Sequence, residues 1–331
     1  MRRRRFWPGV LAADLTPELT DDLSQPFQVE ACDVRGRLVR LGAALDDALA
    51  KHDYPNPVAQ LVAEAVALAA TMATALKFDG IFTLQAKGDG PVSLLVADYR
   101  TGTSENDIGS GALRGYASFD AERLAGLELG PGPEPRTAPV PLLLGKGYLA
   151  FTIDPAGEDM ERYQGIVDLS GANLAEAAHA YFAQSEQLAA RVSLGAARVA
   201  GADGRRRWRA GGLLVQQLPA KAGGLGPEER EEAWERVKAL TATAKVQEFC
   251  DPALPPHDLL YRLYHEDGVR VYEPMALAAR CTCNADRILG ILRSFTAEEI
   301  NHIVADGQVA ATCQFCSETY RFPAEMVQNL P

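Results

Sequence analysis

The spacing of apolar positions changes along the chain, and the changes divide it into zones. Residues 27–34 and 37–40 alternate apolar and polar side chains on either side of Arg35-Gly36, the pattern of a β-hairpin. Asn56-Pro57 then supplies a helix cap and a proline at the first helical position. The helix it opens, running to about Phe78, carries apolar residues on nearly every face, so it is predicted to lie at the centre of a core. Strand-like runs follow at 81–85, 92–97, 148–153, 166–169 and 213–217, with a helix over 175–191 between the last two. Strands grouped around a few helices, without regular alternation, predict an α+β fold rather than a doubly wound sheet.

Two further zones follow this mixed α/β core of residues 1–226. Residues 227–279 open on Glu228-Glu229-Arg230-Glu231-Glu232, acidic where the dipole of a starting helix favours it. The zone holds 11 acidic and 6 basic residues in 53, with one short amphipathic face from Leu259, Leu260, Leu263 and Tyr264. Asp251-Pro252 and Pro255-Pro256 interrupt it. It reads as a metastable helical connector, folded but lightly cored, of the kind that opens locally at low cost. Residues 280–331 form a small C-terminal domain that carries the chemistry.

Four of the six cysteines lie in that last zone: Cys281-Thr282-Cys283 and, after 29 intervening residues, Cys313-Gln314-Phe315-Cys316. Between the pairs the pattern predicts a helix over 286–293 and a second opened by Thr296-Ala297-Glu298-Glu299, a capping box in which cap and third residue satisfy each other's backbone amides. Asp306-Gly307 turns the chain into a strand-like run that delivers Cys313. Two short-spaced pairs joined in this way predict a four-thiolate zinc site, closed to hydrolytic chemistry because no coordination position stays open. The same spacings keep two sulfurs of each pair near enough to bridge on oxidation, and a zinc-bound thiolate is the form that peroxide attacks. In so small a module metal-binding free energy is largely folding free energy, so oxidation is expected to unfold it.

Charge narrows the partners. The chain has 33 Lys and Arg against 44 Asp and Glu, a formal charge of −11. Phosphate affinity comes from cations that displace counterions, so neither nucleic acid nor an anionic membrane is an expected partner. The zinc module itself, counted over 279–331, has four Arg, no Lys and six acidic residues, unlike a nucleic-acid ribbon. No apolar run reaches the roughly 18 residues of a membrane helix. Arg2-Arg3-Arg4-Arg5 leads to Asp14 without the apolar stretch of a secretion signal, so a cytoplasmic location is expected. No P-loop occurs, and Gly109-Ser110-Gly111-Ala112-Leu113-Arg114-Gly115 has its last glycine one place late for a dinucleotide loop, so it is read as a flexible turn before Tyr116. Cys32 is read as a small core hydrophobe within a strand, Cys250 as a connector thiol, and His302, between the cysteine pairs, as a surface helix residue.

Beyond the cysteine spacing, three stretches carry a likeness: Tyr163-Gln164-Gly165-Ile166-Val167, Tyr181-Phe182-Ala183-Gln184-Ser185-Glu186-Gln187 and Gly211-Gly212-Leu213-Leu214-Val215-Gln216-Gln217-Leu218-Pro219. With them the chain resembles, over nearly its whole length, the bacterial redox-regulated heat-shock holdases, the thirty-three-kilodalton chaperonin family. The resemblance implies a chaperone rather than an enzyme. Its reduced form would be inactive, with one zinc on Cys281, Cys283, Cys313 and Cys316. Oxidation would pair Cys281 with Cys283 and Cys313 with Cys316, release zinc and unfold the connector. The exposed connector and core would then hold unfolding client proteins without ATP, with a homodimer as the active form. From the residues alone two other readings stand beside it: a thiol–disulfide oxidoreductase using Cys313 and Cys316, and a structural zinc module that docks on a protein partner.

Overall fold

The computed structural model describes residues 21–102, 110–127, 139–157, 161–186, 189–201, 203–220 and 224–328. The N-terminal arginine run and Gly109 lie outside these. The core begins with β1 (Leu23–Val29), β2 (Val34–Leu41), α1 (Ala43–Leu49) and α2 (Asn56–Ala73), then β3 (Gly80–Gly88), β4 (Val92–Thr101) and β5 (Ser110–Phe119). Short helices α3 (Ala121–Ala125) and α4 (Val140–Leu143) lead to β6 (Gly147–Pro155), β7 (Tyr163–Asp168), α5 (Leu174–Tyr181), β8 (Ala190–Ala200) and β9 (Arg206–Gln217). The connector supplies α6 (Pro227–Ala242), α7 (Val246–Cys250), α8 (Pro256–Tyr264), β10 (Val269–Val271) and β11 (Met275–Ala279). The C-terminal module consists of α9 (Ala285–Leu292), α10 (Ala297–Ile303), β12 (Val304–Ala305), β13 (Gln308–Thr312), β14 (Thr319–Pro323) and α11 (Ala324–Gln328).

These elements give the predicted α+β class. Strands β1 to β11 form one sheet, ordered β7-β6-β3-β4-β5-β11-β1-β2-β9-β8, with β10 also paired to β1; the module has its own small sheet, β12-β13-β14. Helix α2 lies across the large sheet and is buried along almost its whole length, as its all-round apolar pattern requires. Among the described residues it is the one helix long and apolar enough to cross a membrane, at 18 residues, but 83% of it is buried inside the protein, which marks a core helix. Its close approach explains a feature misread from sequence. Residues 110–115 are not a flexible turn but the start of β5, and a side chain at Gly115 would place its Cβ 2.6 Å from a Val66 methyl.

Other boundaries also move. The hairpin turn is the 3₁₀ segment Glu30–Cys32 closed by Asp33 at φ +50°, while Arg35 and Gly36 lie inside β2. Cys32 therefore sits in the turn, not in a strand, and is fully buried. The helix read over 175–191 ends at Tyr181 in a π-turn, and Ala190 and Arg191 already belong to β8. Eleven residues of cross-strand pairing with β9 outweigh the helical propensity of an alanine-rich stretch. The Val192 N–H donates to His179 Nε2 at 2.8 Å and ties that corner.

The connector is the largest departure from expectation. Its apolar residues are few, but nearly all face inward. Trp234, Val237, Phe249, Leu259, Leu260, Leu263 and Tyr264 pack on Phe27, Val29, Val34, Leu38, Leu213 and Val215 of the sheet. Leu214, between Leu213 and Val215, joins the opposite cluster against α2. Both faces of β9 are thus covered, which is why Leu213-Leu214-Val215 reads as a continuous apolar run. Polar contacts add to the packing. Arg40, wholly buried in β2, donates to the backbone carbonyls of Leu254 (2.7 Å) and Asp251 (2.5 Å), and Arg209 of β9 donates to that of Cys250 (2.7 Å). Far from lightly cored, the connector is a layer of the structure.

Its last residues enter the sheet. Strand β10 runs antiparallel to β1, Phe27 opposite Val271, the Tyr272 N–H donates to the Pro26 carbonyl at 3.0 Å, and β11 continues with Leu23 opposite Ala276. On its other side β11 runs parallel to β5, Ala276 opposite Ser110. Among the described residues β11 is the only strand between the two halves of the sheet. Replacing Leu260, wholly buried under this layer, with alanine should therefore cost about 2–5 kcal/mol in urea unfolding. A loss below about 0.5 kcal/mol, the usual limit for surface changes, would contradict this packing.

Candidate metal centre

Each cysteine pair is placed by an element that ends at it. Strand β11 passes through Arg280, whose N–H donates to the Leu113 carbonyl of β5, directly into Cys281. Asn284 caps α9 by accepting from the Arg287 N–H at 2.8 Å, which holds Cys283 in the short extended link between strand and helix. The second pair sits in the β13–β14 turn. Here the Ser317 N–H donates to the Cys313 carbonyl and the Cys313 N–H to the Glu318 carbonyl, both at 2.9 Å, with Ser317 at φ +57°. The Asp306-Gly307 turn and the Thr296/Glu299 capping box, both read from sequence, bring the two pairs together.

The four Sγ atoms lie within 4.8 Å of one another. Between the pairs, Cys281 lies 3.7 Å from Cys313 and Cys283 lies 3.3 Å from Cys316. A tetrahedral zinc–thiolate site with bonds of about 2.3 Å needs sulfurs about 3.8 Å apart, so the spacing fits a metal ion. Among the described residues no histidine joins this cluster, and His302 lies on the exposed face of α10 with Nδ1 at 2.8 Å from the Glu298 carbonyl.

The electrostatics favour an ion too. Burial raises the Cys281 thiol, but the Cys283 backbone N–H and the neighbouring sulfurs outweigh it and bring it down to about 7. Burial, with Cys281 and Cys313 adding, raises Cys283, although Tyr320 donates to its sulfur at 3.3 Å. Cys316 is raised strongly, by burial first and by the other three sulfurs next. One thiolate thus forms readily and opposes the next. A cation at their centre removes that conflict. Cys250, by contrast, is buried in the connector layer with its thiol pushed up to about 12, as an inert core thiol should be.

Several residues around the site escaped the sequence reading. Arg114 of β5 forms an ion pair with Asp98 through Nε (2.8 Å) and Nη2 (2.6 Å), and its Nη1 reaches Cys281 Sγ at 3.9 Å. The same guanidinium covers the ring of Phe315, inside the second cysteine pair, at 3.9 Å. Tyr116 meets that ring edge-on, His52 Nε2 lies 3.1 Å from the Phe315 carbonyl, and Ser317 Oγ donates to the Lys51 carbonyl at 2.7 Å. The metal turn is thereby seated on the core. Arg114 and Cys281 are 167 residues apart, a separation that no local pattern bridges.

Phe315→Ala removes this seat and no ligand atom. Metal affinity should fall by no more than about thirtyfold, since losing the ring contact forfeits only ~0.5–2 kcal/mol. Limited proteolysis should release residues 281–328 faster than in the parent protein. Unchanged proteolysis would show that Phe315 does not anchor the module.

The model of the Hsp33 protein family matches residues 22–323. The 33 kDa chaperonin of Caulobacter vibrioides (strain NA1000 / CB15N) is 44% identical over 314 residues, 93% of this chain and 97% of the relative. That of Ectopseudomonas mendocina (strain ymp) is 40% identical over 312 residues, 94% and 95% of the two chains. The crystal structure of the 33 kDa chaperonin from Thermotoga maritima shares the fold, with a TM-score of 0.71 at 22% identity, covering 92% of this chain and 96% of that one. With a family match that runs from β1 to β14, and relatives of this identity along nearly its whole length, this chain belongs to the Hsp33 family of chaperones.

Proposed function

We propose that this chaperone is a redox-switched, ATP-independent holdase. The observation that carries the reading is the placement of the four-sulfur cluster directly after β11, the strand that ends the connector and joins the sheet halves. Bound to Cys281, Cys283, Cys313 and Cys316, a zinc ion would keep all four sulfurs as thiolates and hold the module folded. The module's own core is small, with Leu292, Ile300, Val309, Phe322 and Val327 as its buried apolar cluster among the described residues. Such a core gives little stability unaided.

Oxidation supplies the switch. Two thiolates lose two electrons to one molecule of peroxide, a sulfur–sulfur bond forms, and the peroxide leaves as two hydroxide ions. Two such steps consume the four thiolates and leave no ligand for the metal. We assign the bonds to Cys281–Cys283 and Cys313–Cys316, the pairing that the resemblance to the thirty-three-kilodalton chaperonins implies. Bonding across the pairs, where Cys281 lies 3.7 Å from Cys313 and Cys283 lies 3.3 Å from Cys316, would staple the module together. Bonding within each pair takes the cluster apart. The end of β11 then loses its anchor, the connector layer loosens, and the apolar faces it covers become available to unfolding client proteins, with a homodimer as the working form.

Thiol–disulfide exchange is less well supported. Cys313 follows a strand and lies in a hairpin turn, whereas a catalytic pair gains its low thiol pKa at a helix N-terminus. Four cysteines clustered at metal-site spacing also suit a reducing compartment, in keeping with a cytoplasmic location.

Dilution of a chemically unfolded client into the protein, followed by light scattering, tests the proposal. The peroxide-treated form should suppress aggregation as zinc is released, and peptide mapping should recover the two bonds within the pairs. The reduced, zinc-loaded form should not suppress aggregation. Equal suppression by both forms, or none by either while zinc departs, would overturn it.

A further inference from the structure

The position of β11 has a consequence for how clients are held, one that rests on the holdase reading above. β11 is a short insert between two long strands. The Leu277 N–H donates to the Asp22 carbonyl on the β1 side at 2.7 Å, and the Arg280 N–H to the Leu113 carbonyl on the β5 side at 3.1 Å. Residues 269–279 together cover the edge of β1 from Leu23 to Val29 and that of β5 from Ser110 to Leu113. Without them, both strands would present unpaired N–H and C=O groups facing a slot one strand wide. Such edges are templates for an incoming extended chain.

The present tenant shows what the slot accepts. Leu277 is only 4% exposed and belongs to the main core cluster with Tyr99 and Leu113. Its side chain lies over Gly111, where an added Cβ would stand 2.9 Å from Leu277 Cδ2 and 2.3 Å from Tyr99 Cε2. Glycine at that position is what makes room for it. Two residues earlier, Met275 is half-buried against the same cluster, and its sulfur accepts from Tyr99 Oη at 3.2 Å. Between and beyond them stand Ala276, Ala278 and Ala279. The slot therefore selects an extended segment with apolar side chains two residues apart and small residues around them, a pattern common in strands of a protein caught while unfolding.

We propose that β10 and β11 act as an internal pseudo-client, and that oxidation at Cys281 vacates the slot between β1 and β5 for an extended apolar segment of a client, bound by strand addition. In the reduced protein the tether keeps the tenant at high effective concentration, so a client competes poorly. Once the cysteine cluster comes apart, Cys281 no longer fixes the end of β11, and the client competes with a frayed strand.

A fluorescent synthetic peptide carrying residues 269–280 tests this on the full-length protein, by anisotropy alongside the aggregation assay. The oxidised, zinc-free protein should bind it, and the peptide should compete with an unfolded client. The reduced, zinc-loaded protein should bind at least about tenfold more weakly, as should a peptide with Leu277→Asp, which forfeits the burial of the leucine side chain. N-methylation at the amides standing for Leu277 and Arg280 should abolish competition. If oxidised protein holds clients but the parent peptide neither binds nor competes, strand addition is wrong and the holdase reading stands. If sedimentation shows that oxidised protein fills the slot with the matching strand of a second copy and excludes the peptide, client binding there is equally overturned. If oxidised protein holds no client at all, the holdase reading fails and takes this inference with it.

Discussion

Four thiol sulfurs within 4.8 Å of one another cannot all ionise without a cation, and the rest of the structure depends on how that conflict is resolved. Protons resolve it weakly, since one thiol near 7 sits beside Cys283 and Cys316, both raised by burial first and then by neighbouring sulfurs. A tetrahedral metal ion resolves it well, at the spacing the sulfurs already have. Two disulfides within the pairs, as proposed above, would also resolve it, but without any bond between the strand–helix link that carries the first pair and the hairpin that carries the second. On that proposal the module's fold is conditional on the state of its sulfurs.

That local condition reaches the core through two physical links. One is covalent: Cys281 is a single residue beyond the strand pairing of β11, and β11 alone, among the described residues, joins the sheet halves. The other is the seat of Phe315 between Arg114, Tyr116 and the His52 loop. Arg114 belongs to both links. It reaches Cys281 and covers Phe315, while Asp98 fixes its orientation. The connector layer, gripped at its carbonyls by Arg40 and Arg209, lies on the face of the sheet opposite α2 and ends in the strand that the cysteines anchor. Loosening Cys281 thus acts on a packed layer with a defined edge rather than on a slack tether.

The parts legible in the sequence were those set by local pattern. The cysteine spacing, the Thr296/Glu299 capping box and the Asp306-Gly307 turn each depend on residues within a few positions, and the structure places all three as read. The all-apolar α2 announced its central position in the same way. What escaped depends on partners distant in sequence. Gly115 looks like a turn residue until Val66 is seen pressing on it, and Ala190 and Arg191 look helical until β9 pairs with them. In the connector the face of Leu259, Leu260, Leu263 and Tyr264 was legible, but Trp234, Val237 and Phe249, which complete the layer against the sheet, were not. Arg114 and Phe315 carried no signal, because a cation over a ring 201 residues away leaves no periodicity.

In the mechanism proposed above, the sulfur cluster controls the order of the connector and of β11. Hydrogen exchange followed by mass spectrometry, on the reduced zinc-loaded protein and after peroxide treatment, tests it most directly. Amides of residues 256–279 and 281–328 should lose protection together as zinc leaves, while those of β2 and β9 in the body of the sheet stay protected. If residues 281–328 open but 256–279 keep their protection, the metal module is not coupled to the connector, and the account is contradicted.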